Sequence, residues 1–181
     1  PFAAVGLNEM SRRRERTGEA RWLDTFGVLR SPSIGGIMLL GLLLVALFLL
    51  WVVLAHVIYV LTLGPAAPAS AGQFVTDVFT TSAGHTMIGV GVGVGFLFAV
   101  LVLSVSVVSF PLLLDRHVGV GTAVATSVRA VAANPGAMAL WGLIVAAALV
   151  VGSLPLFIGL VVVLPVLGHA TWHLYRKVVP R

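Results

Sequence analysis

The stretch Gly168-His-Ala-Thr-Trp-His-Leu-Tyr-Arg-Lys177 gathers more chemically capable side chains than any other part of the chain. His169 and His173 are four residues apart, so on a helix they share one face. Such a pair can ligate a metal ion, but a defined site wants at least one more ligand. Asp115 and His117 are expected on the same side of the membrane and could complete one. A simpler reading competes with the metal. Histidines near a helix C-terminus favour its dipole, while Trp172, Tyr175, Arg176 and Lys177 suit a membrane interface.

A second group, His56, His85 and Met87, offers imidazole and thioether on the opposite side, donors that suit copper. A bis-histidine haem needs two imidazoles at one depth. His56 lies 20 residues beyond Gly36 and His169 lies 14 beyond Pro155 on a returning helix. At a rise of ~1.5 Å per residue their depths differ by roughly 20 Å, too far for one haem. No cofactor is therefore expected, with haem or copper the alternatives that the histidines leave open.

Ser104, Ser106 and Ser109 have no basic partner at their depth, so a serine nucleophile is not supported, and each is expected to bond its own helix. No carboxylate pair falls inside an apolar run, which argues against a proton-coupled pump. Gly89, Gly91, Gly93 and Gly95 alternate with valine inside an apolar stretch without strand–helix context, so they are not a phosphate-binding loop. They make two overlapping small-xxx-small pairs on opposite helix faces, a pattern for close helix packing. One face is expected to meet the hairpin 135–177, where Gly142 and Ala146 to Ala148 are also small.

The elements that must position these residues follow from composition. The chain is 59% hydrophobic and 9% charged with a mean hydropathy of +1.10, against roughly 25% charged residues in a soluble domain. The class is all-α and polytopic: an integral membrane protein. It contains no cysteine, which excludes disulfides and thiolate ligation. The net charge of +5 comes from basic residues that all flank apolar runs, so membrane topology, not nucleic acid, accounts for it.

Residues 1–10 read as the end of a transmembrane helix, and the chain as N-terminally truncated. Residues 11–34 form a basic segment in which Trp22, Leu23, Phe26 and Leu29 mark an amphipathic helix on the membrane surface. Spans are expected at 36–63, 87–114, 135–152 and 155–177, four complete crossings. A loop at 64–86 and a turn at 152–155 face away from the cytoplasm; an interfacial segment, 115–134, and a tail, 178–181, face it. This arrangement leaves all eleven Lys and Arg residues on one side, as cytoplasmic loops require.

Pro1-Phe-Ala-Ala-Val-Gly-Leu, Pro111-Leu-Leu-Leu-Asp-Arg116, Asn134-Pro135 with Trp141-Gly142, and the closing Leu164-Pro-Val-Leu-Gly-His-Ala-Thr-Trp-His-Leu-Tyr-Arg176 together resemble an uncharacterised family of proteobacterial inner-membrane proteins, known as a domain of unknown function. The resemblance implies an inner-membrane location and a longer N-terminus; it implies no activity. The residues themselves point to a non-catalytic accessory subunit or assembly factor of a larger membrane-protein complex, a respiratory terminal oxidase being the leading candidate. A small-solute transporter or channel is the alternative, resting on the weak repeat of proline and basic pair at Pro1–Arg13 and Pro165–Lys177. A haem- or copper-handling protein is the third reading.

Overall fold

The run from Ile34 to Leu63 contains no charged residue and is apolar on every face, so it needs no amphipathic stripe to be helical in lipid. In the computed structural model, which describes residues 33–116 and 118–179, it forms α1, Ile34–Leu63. Gly64 ends it with φ +93°, a left-handed cap that costs glycine nothing, and its N–H donates to the Val60 carbonyl at 3.2 Å. There follow α2 (Ala71–Thr80), α3 (Ser82–Ser106), α4 (Ser109–Asp115), α5 (Val120–Ala133), α6 (Pro135–Ser153) and α7 (Leu160–Val178). Every regular element among the described residues is helical. The expected end of a span at 1–10, the basic segment with Trp22, and His117 lie outside the described residues.

Among the described residues three stretches are long and apolar enough to cross a membrane: α1, Ser82–Asp115 and α6. This is an all-α, polytopic membrane protein. The 19 residues of α7 have spanning length, but their second half carries His169, His173, Arg176 and Lys177. Within the expected 64–86 loop, α2 is a helix that Ser70 caps, its side chain accepting from the Gln73 N–H at 3.1 Å. The serine three residues before that amide is the start signal.

The expected span 87–114 is broken. Pro111 has no N–H to give the Val107 carbonyl, and its ring crowds that carbonyl four residues back. The helix opens at Val107–Val108 and resumes as α4. The turn between α6 and α7 occupies residues 154–159, longer than the 152–155 expected, and α7 begins at Leu160. Leu156 and Phe157 take positive φ of 50° and 66°.

The chain divides into two compact units. One comprises the start of α1, up to Leu42, and the chain from Leu103 onward; the other is Leu43–Val102. In the first, every residue from Ser109 to Leu114 is buried, which makes the short α4 its centre. It packs against α5 and α7, while α6 packs against α5 and α7. The start of α1 joins them: a methyl on Gly36 would lie 3.2 Å from Val120 Cγ2 and 3.3 Å from Leu113 Cδ2. At the hairpin, Gly152 and Gly159 let α6 and α7 touch, since a Cβ on Gly159 would sit 2.8 Å from the Gly152 carbonyl oxygen. In the second unit, Gly84 is buried against α2; a Cβ there would collide with the carbonyl oxygens of Asp77 and Val78.

Candidate functional site

The break in the second span and the end of α7 create a polar cluster inside the first unit. In a continuous helix the Val108 N–H would bond the Ser104 carbonyl; here it donates to Ser127 Oγ of α5 at 3.2 Å. Ser127, Val108 and Ser109 are all fully buried. Ser109 Oγ donates to the Val105 carbonyl of its own chain segment, as expected of a serine in a span. Proline leaves the Val107 carbonyl without its helical donor, and where the helix opens beside it a neighbour's hydroxyl accepts from the Val108 amide. Such substitution is what a broken helix in lipid requires. Ala123 and Ser127, four apart and buried, let α5 approach closely enough to do it.

One turn further on, α4 ends at Asp115, whose side chain is 8% exposed. Tyr175 of α7 donates its hydroxyl to Asp115 Oδ2 at 2.9 Å, and Arg176 Nη1 lies 3.5 Å from the same oxygen. The Arg176 guanidinium also stands 5.4 Å from the centre of the Trp172 ring, a cation–π distance. The Trp172 and Tyr175 rings are 5.6 Å apart. Gly168, Trp172 and Tyr175 recur at four and three residues, so they share the face of α7 that is buried. The sequence suggests these aromatics for a membrane interface; in the fold both face protein, while Lys177 is exposed. The geometry makes a latch that ties the end of α7 to the end of α4.

Elsewhere the histidines stand as follows. His169 is half-buried and His173 exposed on α7. His56 stacks with Tyr59 at 6.4 Å between ring centres. The His85 ring reaches the Phe79 carbonyl at 2.9 Å through Nε2. Among the described residues no three His, Asp or Glu side chains come together as a metal site. His117, the expected partner of the His169–His173 pair, is outside them. In the second unit, among the described residues, a methyl added to Gly89, Gly91 or Gly93 would meet nothing within 4 Å, and one on Gly95 only Trp51 Nε1 at 3.9 Å.

Sequence reasoning missed Ser127 and the Asp115–Tyr175 bond. The first had a signal, since Gly119, Ala123 and Ser127 recur every four residues on one helix face. The second had only a half-signal: an acid at the end of an apolar run needs a partner, but sequence spacing cannot say which.

A family model described as a predicted integral membrane protein (DUF2189) matches residues 1–115. It therefore covers the first segments of the resemblance, through Pro111–Asp115, and not the closing motif on α7. No curated protein and no solved structure matches the chain.

Proposed function

The chain belongs to this family of predicted integral membrane proteins, and from that premise we propose that it is a non-catalytic accessory subunit or assembly factor of a larger inner-membrane complex, its C-terminus cytoplasmic. The glycine strip of α3 is the observation that carries the reading. Lipid tails give little hydrophobic drive for helix association, so a helix gains a partner by letting another backbone come close. Gly89, Gly91 and Gly93 are open to such an approach over about 6 Å of helix at ~1.5 Å per residue.

Two paired substitutions, each made with no other change, test it. Gly91→Leu with Gly95→Leu adds a side chain beside Trp51, whose Nε1 would lie 3.9 Å from a Cβ at Gly95, so this pair is the one expected to lower the protein's own stability. Gly89→Leu with Gly93→Leu meets open space and is expected to release co-purifying subunits in mild detergent while leaving insertion intact. Mass spectrometry of those subunits identifies the complex, a terminal oxidase among the outcomes. Native stability and an unchanged set of partners in both double variants would sink the proposal.

A transporter is the second reading, favoured by the broken helix at 107–108, since transporter sites often sit on discontinuous helices. The full burial of Val108, Ser109 and Ser127 weighs against it, because packed protein fills the break. Haem or copper held by His169 and His173, or by His56 and His85, is the third; an absorption spectrum and metal analysis of the purified protein test it.

A further inference from the structure

The turn between α6 and α7 is built for a medium without water. From Gly136 to Leu167 there is no charged residue, and Ser153 is the one hydroxyl. That hydroxyl donates to the Leu149 carbonyl at 2.7 Å. At the tip, Leu154, Leu156, Phe157 and Ile158 are 67–84% exposed. Four large apolar side chains held outward would be a costly surface in water, at ~25 cal/mol per Å² of apolar area.

The backbone of the turn agrees. The amides of Leu154, Phe157, Ile158, Leu160, Val161 and Val162 each donate to a carbonyl within residues 150–159, at 3.0–3.2 Å, and Pro155 has no N–H. Leu156 and Gly159 make no such bond. Of the turn's own donors, those of Leu154, Phe157 and Ile158 are closed, a closure that hydrocarbon favours because it offers an open N–H no partner. Leu156 and Phe157 take left-handed φ within it.

Length points the same way. Arg176 lies 16 residues after Leu160, about 24 Å of helix at ~1.5 Å each, so with Arg176 at one boundary of a ~30 Å hydrocarbon core the turn at 154–159 begins about 6 Å inside the other. By contrast, residues 64–86 carry Ser70, Gln73, Asp77 and several threonines, a composition for water.

We infer that the tip Leu154–Gly159 is embedded among lipid acyl chains, so that α6 and α7 form an intramembrane hairpin that does not emerge into water. The inference stands apart from the proposed complex, because lipid and not a protein occupies the tip.

The absence of native cysteine makes the test direct. Single cysteines replace Leu156, Phe157 or Ile158 in turn, with Ala69→Cys as the aqueous control. In membrane vesicles opened to both sides, an impermeant maleimide is expected to label the three tip positions at least tenfold more slowly than the control. Bimane attached to them in detergent, after reconstitution into phosphatidylcholine, is expected to be quenched by acyl-chain doxyl lipid and not by aqueous iodide. Labelling at the control's rate would place the tip in water. Slow labelling without doxyl quenching would mean that protein covers it, which equally overturns the inference. Hydrogen exchange of the unsubstituted protein in nanodiscs covers any variant that fails to fold. The amides of Leu156 and Gly159, which no carbonyl of the turn protects, are expected to exchange at least tenfold more slowly than those of Ala66 and Ala67, and equal rates would defeat the proposal.

Discussion

Tyr175 shows what a single side chain does where the ends of α4 and α7 meet. Its hydroxyl is the close donor to a nearly buried Asp115 carboxylate, while Arg176 is longer-range and its side chain is 23% exposed. Hydrogen bonds to charged groups are worth about 1.5–3 kcal/mol, and a partly solvated ion pair about 0–1 kcal/mol. Tyr175→Phe is therefore expected to destabilise the protein by about 1.5–3 kcal/mol, read from unfolding in mixed micelles. Arg176→Ala should cost less, about 1 kcal/mol with its cation–π contact to Trp172 included. Should Arg176→Ala prove the more damaging, the carboxylate's main partner is the guanidinium and the latch has been ranked wrongly.

At the scale of elements, the break between α3 and α4 couples three helices' worth of decisions to one proline. Pro111 opens the ladder, the Val108 amide is released, and Ser127 of α5 takes it. Ser127→Ala alone leaves a fully buried N–H without an acceptor, at a cost of about 1–3 kcal/mol. In a Pro111→Ala background the helix can close across 107–108, and the Val108 amide can return to Ser104. The same serine substitution should then cost less by about 1 kcal/mol, a coupling that a double-mutant cycle measures directly. Additive effects within 0.3 kcal/mol or so would mean that proline and serine act independently.

For the molecule as a whole, topology governs what each end can meet. From the sequence alone, the positive-inside rule leads to the expectation that all eleven Lys and Arg residues lie on the cytoplasmic side and the polar 64–86 segment on the other. A cysteine at Ser70 is accordingly expected to react with impermeant reagent only from the outer side of intact cells. Reaction from the cytoplasmic side alone would invert the arrangement, and with it the side on which the Asp115–Tyr175 latch lies. Among the described residues three stretches are apolar enough to cross, and in the polar second half of α7 Tyr175 and Arg176 reach Asp115 of α4.

The sequence by itself determined the all-α membrane class and the absence of thiol chemistry. Uncharged apolar runs, the glycine and proline after Leu63, and Pro135 at the first turn of α6 are local facts with local consequences. Pro111 was equally visible, but the place of its effect, at Val107–Val108, depends on the geometry of a helix turn and on Ser127 being at hand. Only tertiary structure decided that Asp115 meets Tyr175 and Arg176, residues 60 and 61 positions away. It also turned Trp172 and Tyr175 toward protein and exposed the apolar tip of the α6–α7 hairpin. Partner choice across such separations is set by how helices pack, and helices that are apolar on every face carry no mark of which side packs.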